Sequence, residues 1–501
     1  MNIVDAVDHQ ARRQPQAPAI VTPGLVIGYA EAARRVRRIA SALHAHGLGR
    51  GDRVALRLPN SPSALLAILA LARLGAVAVP VPPRRPAEQF VGLVARLRLA
   101  ATLGLDDLHA LPGTRLIGVD DSLLAAADDT VATEPNAAGG DALALITLSS
   151  GTTGEPKAMG RSHSRVLRQW EQQQTLRPHG PGVRMLILMG FDANYAVMTG
   201  LRMLCSGAAV LLEPDASLRC IADGVDRLGA NHVLGSAALV GRLVAHLPPD
   251  RQRFPGLGSF RLAGSIVAPA LLAQLRRRLT SKVCSDYGAS EVGALADGDP
   301  ELVHRVPGCV GAVMPWVQAE AVDGAGRPLP AGQSGVLRFR SEDFPQAYLD
   351  DPEASAKVFR EGWFYPGDVG SVNADGSLVI EARVDELINV GGTKLRPEEV
   401  EEVLLQDASI AEAAAYAAPA ADGRTVLLAA VVCRGPVDEW QTLSRCQAVL
   451  GQKAPQHLVK LKQLPRNEAG KVLRQVLAER TRIRPARAGV ASTTGEPPPH
   501  A

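Results

Sequence analysis

The chain has 501 residues, which is too long for a single hydrophobic core and predicts a large domain together with a smaller one. Its 54 basic and 51 acidic residues leave a net charge of only +3, and 4% of its residues are aromatic, so we expect no nucleic acid partner. The six cysteines are scattered, without a CxxC pair or metal-ligand spacing, and predict reduced thiols in a cytoplasmic protein.

The first half of the chain alternates amphipathic helical patterns with short apolar runs. Residues 29–48, YAEAARRVRRIASALHAHGL, have the period of a helix, whereas DRVALRLP and AAVLLEP are typical of strands. This alternation predicts α/β layers with largely parallel strands. The longest apolar run, residues 64–82, is interrupted by Arg73 and Gly75. It predicts a packed helix followed by a strand, and no membrane span.

From about Val317 the sequence pattern changes to short strands separated by Gly and Asp turns, such as GSVNADGSLVIEAR. This pattern predicts antiparallel hairpins that close the large domain as a barrel. We expect a boundary after Val384, where the strand pattern SLVIEAR has ended. The predicted regions are therefore a large α/β domain of several subdomains (1–384), a small α+β domain (385–480) and a disordered tail (481–501).

The segment LITLSSGTTGEPKAMGRSHS, residues 145–164, runs from a strand pattern into a loop of glycines, hydroxyl residues and one lysine. Glycines let the backbone approach a ligand closely, hydroxyls donate hydrogen bonds, and Lys157 adds positive charge, which together favour a polyphosphate. The loop is not a Walker A motif, because the GK[ST] ending is absent. By composition alone it is equally consistent with a flexible surface turn.

Four further motifs follow this loop: DYGASE (286–291), WFYPGD (363–368), ARVDELINVGG (382–392) and LPRNEAGKVLR (464–474). With the earlier stretches IGYAEAARRVRRIASAL and LARLGAVAVPVPP, this ordered set resembles the adenylate-forming superfamily. Its members are acyl- and aryl-CoA synthetases, adenylation domains of nonribosomal peptide synthetases and luciferases. The resemblance implies that a carboxylic acid reacts with ATP to form an acyl-AMP and pyrophosphate, and that a thiol then attacks the acyl-AMP.

The resemblance also implies roles for the loop and the DYGASE motif, with ATP and Mg²⁺ as cofactors. Glu291 would bind the metal, Tyr287 would lie against adenine, and Gly288 would permit close approach of the backbone. Thr153, Glu291 and Lys471 are the implied catalytic residues. The implied ATP ligands in these two motifs are Ser149, Ser150, Gly151, Thr152, Thr153, Gly154, Lys157, Asp286, Tyr287, Gly288 and Ser290.

Two residues complete the implied nucleotide site. Asp368 would accept hydrogen bonds from both ribose hydroxyls. Arg383 would add a cation near the ribose and the phosphates. The sequence departs from the family pattern at Pro366, where the family usually has threonine, so a hydroxyl and a backbone donor are lost there.

The small domain is implied to be mobile and to serve both half-reactions. Lys471 would contact the substrate carboxylate and the α-phosphate during adenylation. Asp385 would be the hinge about which the domain then turns. Gly391 and Gly392 would line a narrow channel for a pantetheine thiol, although a plain hairpin turn accounts for these glycines equally well.

The pocket for the acid is expected to involve Phe191, Asp192, Tyr195, Gly235, Ser236, Ala263 and Gly264. Asp192 has two interpretations. It could hold the ammonium group of an amino-acid substrate, which would offset the cost of burying a carboxylate. It could instead be a structural aspartate paired with the backbone or with solvent.

We therefore predict an AMP-forming ligase that transfers a small organic acid to CoA or to the phosphopantetheine arm of a carrier protein. One alternative is a free-standing amino-acid adenylating enzyme that loads a carrier. The other is a non-catalytic nucleotide-binding or scaffold protein, and the joint presence of Glu291, Asp368, Arg383 and Lys471 argues against it.

Overall fold

The computed structural model describes residues 1–105, 110–119, 138–149, 156–215, 217–247, 250–264, 267, 269–384, 388–390, 393–419, 425–466 and 472–481. The described residues form two compact units, which divide between Glu381 and Ala382. Each unit has hydrophobic cores of its own.

Helices occur in both units. The α-helices of the described residues are α1 (Ile3–Arg13), α2 (Tyr29–Ala45), α3 (Pro62–Leu74), α4 (Val91–Leu97), α5 (His163–Leu176), α6 (Asn194–Ser206), α7 (Leu218–Arg227), α8 (Ala237–Ala245), α9 (Pro269–Arg278), α10 (Pro300–Arg305), α11 (Pro352–Val358), α12 (Pro397–Leu404), α13 (Glu439–Leu450) and α14 (Arg474–Arg480). Short 3₁₀ helices cover Ala87–Phe90 and Gly451–Lys453.

The strands of the large unit are β1 (Pro18–Thr22), β2 (Leu25–Gly28), β3 (Arg53–Arg57), β4 (Val77–Pro80), β5 (Leu99–Gly104), β6 (Arg115–Gly118), β7 (Leu143–Leu148), β8 (Ala158–Ser162), β9 (Arg184–Ile187), β10 (Ala209–Leu211), β11 (His232–Ser236), β12 (Ser259–Ala263), β13 (Val283–Ser285), β14 (Tyr287–Ala289), β15 (Gly293–Asp297), β16 (Cys309–Val313), β17 (Gln318–Val322), β18 (Gly335–Arg340), β19 (Phe359–Arg360), β20 (Trp363–Phe364), β21 (Asp368–Val372) and β22 (Ser377–Arg383), whose last two residues belong to the small unit. The small unit continues with β23 (Ile388–Val390), β24 (Thr393–Leu395), β25 (Ile410–Pro419), β26 (Thr425–Cys433) and β27 (His457–Leu461).

Two mainly parallel sheets form the first part of the large unit. One has the order β13-β12-β11-β9-β10-β1-β2 and the other the order β6-β5-β3-β4-β7-β8, and only the end strands β2 and β8 are antiparallel to their neighbours. A continuous core between the two sheets contains side chains of α1, α2, α3 and α6. The predicted α/β layering is therefore confirmed.

Helix α3 and strand β4 account for the longest apolar run. Ser61 accepts a hydrogen bond from the backbone of Ala64 (3.3 Å), Pro62 occupies the first turn, and Gly75 ends the helix with φ 73°. Every residue of α3 from Ala64 onward is buried, so the run forms core structure. Within the described ranges, no helix has the length and apolarity required to cross a membrane.

The third sheet of the large unit has nine strands, ordered β14-β15-β16-β22-β21-β18-β20-β19, with β17 paired to β18. Its recorded pairs are antiparallel, as the Gly and Asp turns predict, but the antiparallel strands of this sheet begin at Tyr287, before the predicted change at Val317. In the small unit, β25 pairs antiparallel with β26 and β27 pairs parallel with β26, and α12 and α13 pack against this sheet. The predicted combination of a large α/β unit and a small α+β unit is confirmed.

Candidate active site

The ends of the predicted phosphate loop are held together by hydrogen bonds that extend the β7–β8 ladder. The Ser149 N–H donates to the Lys157 carbonyl (2.8 Å), and the Lys157 N–H donates to Ser149 Oγ (3.3 Å). The predicted ligands between these ends, Ser150, Gly151, Thr152, Thr153 and Gly154, lie outside the described residues. The ammonium of Lys157 lies 5.3 Å from the centre of the Tyr348 ring, within the range of a cation–π contact.

Tyr348 connects this loop to the predicted metal ligand. Its hydroxyl donates a 2.7 Å hydrogen bond to Glu291 Oε1. Burial, reinforced by the Glu291 carboxylate, raises the pKa of Tyr348, so the hydroxyl remains protonated and keeps donating. Lys157 and Glu291, predicted from separate motifs, thus lie on either side of one tyrosine.

A buried arginine supports the same motif from strand β8. Arg161 is fully buried and donates to the Ser290 carbonyl (2.6 Å) and to Gln169 Oε1 (3.3 Å). Burial, then the neighbouring Arg165, lowers the pKa of Arg161 to about 9, while the Glu291 carboxylate acts in the opposite direction. Arg161 therefore fixes the backbone immediately before Glu291.

Two predicted nucleotide ligands are in direct contact. The Tyr287 hydroxyl, from the start of β14, donates to Asp368 Oδ2 at the start of β21. Asp368 is 6% exposed, and Gly367 before it has φ 84°, a conformation that favours glycine. The ring of Tyr287 also packs against Phe339, with centroids 5.9 Å apart. The antiparallel sheet thus joins two motifs that are 81 residues apart.

Gly288 lies against protein backbone. A Cβ at this position would overlap the carbonyl oxygen of Gly293, in the neighbouring strand β15. The absence of a side chain therefore allows β14 and β15 to pair, and the close approach of a ligand that the resemblance implied stays a prediction.

Asp286 lies in a buried ionic cluster. Its carboxylate accepts hydrogen bonds from Arg261 (2.6 Å), from Arg177 (3.1 Å) and from the hydroxyl of Tyr195. Burial alone would raise the pKa of Asp286, but Arg261 and Arg177 lower it further than burial raises it. The carboxylate is therefore ionised. The structure thus connects the DYGASE motif to Tyr195 of the predicted acid pocket.

Other predicted pocket residues lie at the carboxyl ends of β11 and β12. These strands are parallel neighbours, and Ser236 pairs with Ala263 in the register. A Cβ at Gly235 would approach Val240 to 3.0 Å, and Gly264 has φ 92°. Ser236 Oγ accepts from the Leu239 N–H (3.3 Å) and so caps α8. The carboxyl edge of a parallel sheet is a common position for a ligand crevice.

The predicted residues before α6 are held by Asn60. The Phe191 N–H donates to Asn60 Oδ1 (2.8 Å), and Asn60 Nδ2 donates to the Met189 carbonyl (2.6 Å). Burial raises the pKa of the neighbouring Asp192, opposed by a hydrogen bond from its own backbone N–H. No cationic side chain is recorded beside Asp192 among the residues that the structure describes.

The small unit contains the last group of predicted residues. Arg383 ends β22. Val390 of β23 pairs with Thr393 of β24, so strands flank the predicted channel glycines on both sides. Asp385, Gly391, Gly392 and Lys471 lie outside the described residues, and their roles stay predictions.

Comparison with known families finds two matches along this chain. Residues 7–349 match the family described as AMP-binding enzyme, and residues 399–471 match the AMP-binding enzyme C-terminal domain. The chain belongs to the AMP-binding enzyme family. The predicted membership of the adenylate-forming superfamily is confirmed, and so is the predicted class of ATP-dependent, AMP-forming ligase.

This AMP-binding enzyme is similar over nearly its whole length to curated ligases. Feruloyl-CoA synthase from Amycolatopsis sp. is 28% identical, over 93% of this chain and 96% of its own. 3-Hydroxybenzoate–CoA ligase from Aromatoleum sp. (strain CIB) is 29% identical, over 92% of this chain and 93% of its own. O-succinylbenzoate coenzyme A synthetase from Bacillus subtilis, in complex with ATP and magnesium ion, shares the fold with a TM-score of 0.84 at 23% identity, over 94% of this chain and 98% of that one.

Three residues that lie beside predicted site residues were not predicted from the sequence. Tyr348 and Arg161 contact the DYGASE motif, and Arg202 lines a cavity together with Tyr195. Tyr348 stands outside the recognised motifs, so no local pattern singled it out. Arg202 stands in the segment 188–212, which contains part of the expected acid pocket, and Arg161 stands in the segment 145–164, which contains the loop. A lone charged residue close to apolar residues is the signal that could have identified both arginines.

Proposed function

We propose that this AMP-binding enzyme is an acid–CoA ligase that activates a small aromatic or aliphatic carboxylic acid with ATP. The observation that carries the proposal is that predicted ATP-site residues from separate motifs lie together. Tyr287 donates a hydrogen bond to Asp368, and Tyr348 contacts both Glu291 and Lys157. The aryl-CoA ligases among its relatives support CoA as the acceptor and an aromatic acid as the first substrate to test.

The ATP site is assigned to residues 1–384. The carboxylate of Asp368 would accept hydrogen bonds from the ribose hydroxyls, and Tyr287, held by Asp368, would offer its ring to adenine. The loop from Ser149 to Lys157 would bind the phosphates through backbone N–H groups, hydroxyls and the lysine charge.

The residues around Glu291 fit Mg²⁺. A carboxylate oxygen is a ligand that Mg²⁺ accepts, and phosphate oxygens and water would complete its coordination. Mg²⁺ bound there would neutralise phosphate charge. Tyr348 and Arg161 would keep the Glu291 carboxylate directed at the phosphates by holding it and its backbone.

The reaction would proceed in two steps. A carboxylate oxygen of the acid attacks the α-phosphorus of ATP, the bond to the β-phosphate breaks, and pyrophosphate leaves. The thiolate of CoA then attacks the acyl carbonyl and AMP leaves. Both partners of the first step are anions, so a cation must reduce their repulsion, and we assign this role to Lys471 in the domain 385–480.

The test is release of pyrophosphate from ATP with a panel of aromatic, aliphatic and amino acids, first with hydroxylamine as the trap and then with CoA or a phosphopantetheinylated carrier. We expect release with plain acids and acyl-CoA as the product. Lys471→Ala should lower the adenylation rate about a thousandfold, since a lost transition-state donor costs about 3–4 kcal/mol, and should leave thiolation of added acyl-AMP far less affected. Equal losses in both half-reactions, or no release with any acid, would refute the proposal.

An amino acid is the second candidate substrate, and Asp192 is the observation that favours it. Its side chain is half-buried, no cationic neighbour is recorded beside it among the described residues, and a substrate ammonium group would provide one. Asp192→Asn should then reduce activity on amino acids much more than on the matching deaminated acids. Release confined to amino acids, with transfer only to the carrier, would replace the CoA ligase by a carrier-loading enzyme.

A further inference from the structure

A cavity of about 60 Å³ lies beside helices α5 and α6 of the large unit. Tyr195, a residue of the predicted acid pocket, forms part of its wall together with Asn194, Arg202 and Gln173. A cavity needs about 10–15 Å³ to hold one water molecule, so this cavity has room for a small polar group. Tyr195 is therefore common to the predicted acid pocket and the cavity.

Arg202 is a buried cation in this wall. It is 8% exposed, and its guanidinium donates to Gln173 Oε1 (3.1 Å) and to Thr199 Oγ1 (3.3 Å), which are both neutral. Its Nε is buried without a hydrogen-bond partner, and within the described ranges no carboxylate is recorded in an ion pair with it. Burial lowers the pKa of Arg202. The Asp286 carboxylate favours the charged form of Arg202, whereas Arg177 and Arg261 disfavour it. A buried guanidinium that no carboxylate contacts is costly, and an anion in the cavity would remove much of that cost.

Asn194 supplies a second, independent observation. It is 8% exposed and lines the same cavity, and its Oδ1 is buried without a hydrogen-bond partner. It begins α6, two turns before Arg202 on the same helix. Its side-chain amide can present an acceptor or, after rotation, a donor. The cavity wall thus has two polar side chains whose hydrogen-bonding capacity the protein does not use fully.

The nearby carboxylates already have cationic partners. Asp343, in the cavity wall, pairs with Arg168 at 2.6 Å. Asp286 pairs with Arg261 in the ionic cluster beside Tyr195. Neither carboxylate is recorded in an ion pair with Arg202, although Asp286 partly offsets its charge electrostatically.

We propose that the cavity receives a second acidic group, at the far end of the organic acid, and that Arg202 forms an ion pair with it. The substrate class is then a dicarboxylic acid, of which one carboxylate is adenylated and the other is bound by Arg202 and Asn194. This inference rests on the proposed ligase function, and it narrows the acid that the function requires.

The experiment compares pairs of acids that differ only by a methyl group in place of the distal carboxylate, such as succinate with butyrate and isophthalate with 3-methylbenzoate. The readout is the ratio of kcat/KM for diacid over monoacid in pyrophosphate release. In the wild-type enzyme at least one pair should favour the diacid. Arg202→Gln should lower that ratio by about tenfold to a hundredfold, since a hydrogen bond to a charged group is lost, and Arg202→Lys should lower it less.

Arg73→Gln is the matched control, because Arg73 is also a buried helical arginine, 6% exposed, and lies outside the cavity wall. It should leave the ratio unchanged, even if the melting temperature falls. The inference is overturned if the wild-type enzyme prefers the monoacid in every pair, or if Arg202→Gln leaves the ratio of kcat/KM for diacid over monoacid unchanged. The ligase function stands in either case. If Arg202→Gln does not fold, the wild-type ratio and Arg202→Lys still decide. If no acid causes release of pyrophosphate, the proposed function and this inference are both overturned.

Discussion

Replacement of Tyr348 by phenylalanine tests whether Glu291 is a metal ligand positioned by its neighbour. The change removes the hydroxyl that donates to Glu291 Oε1 at 2.7 Å and keeps the ring that lies under Lys157 and against Phe359. A hydrogen bond to a charged group is worth about 1.5–3 kcal/mol. We therefore expect kcat/KM for adenylation to fall about tenfold to a hundredfold at limiting Mg²⁺.

The assay is pyrophosphate release as a function of Mg²⁺ concentration, and excess metal should recover part of the loss. Because burial and the Glu291 carboxylate raise the pKa of Tyr348, the hydroxyl is protonated from about pH 6 to 9, and the loss should be equal across that range. Tyr416→Phe, which removes a neutral hydrogen bond to Thr481 (2.8 Å), is the control. A Tyr348→Phe enzyme with wild-type Mg²⁺ dependence and kcat/KM would refute the assigned role.

Two further predictions concern stability. Asp286→Asn should lower the free energy of unfolding in urea by about 1.5–3 kcal/mol, because Arg261 and Arg177 lose a charged hydrogen-bond acceptor and keep only Asp297 as a recorded carboxylate partner among the described residues; an unchanged free energy of unfolding would contradict a stabilising buried pair. Burial lowers the pKa of His163 to about 4, so the folded protein keeps this imidazole neutral while the unfolded chain takes up a proton below about pH 6.5. This contribution to stability is complete above that pH and is lost as the pH falls towards 4. Urea unfolding from pH 7 to 4.5 should show this decline, and His163→Gln should reduce its slope; equal slopes would remove His163 as a cause.

The motifs predicted the family because each is a short stretch whose chemistry is local. Glycine, hydroxyl and lysine residues in the loop 149–157, and the acids Glu291 and Asp368, are recognisable without knowing what lies beside them. The contacts between motifs were not predictable in this way. Tyr348 is 57 residues from Glu291, and only the antiparallel pairing and loop packing of the large unit bring them together.

The structure also gives single motif residues contacts within the protein that the motifs did not predict. Gly288 allows two strands to approach, and Asp286 is neutralised by arginines that no motif contains. Whether a charged side chain has a partner depends on its neighbours in space, because the cost of burying charge is decided by what replaces water around it. For this reason the sequence could mark Arg202 as a charge in an apolar stretch but could not show which groups surround it.

The sequence by itself determined the alternation of helices and strands, the presence of antiparallel hairpins late in the large unit, and the order of the nucleotide motifs, because each depends on residues adjacent along the chain. Only the tertiary structure decided which side chains from distant segments share one site. It placed Tyr348 between Lys157 and Glu291, and it left Arg202 facing a cavity next to Tyr195. Such placements follow from the packing of whole sheets and helices, which acts on all residues of the core at once.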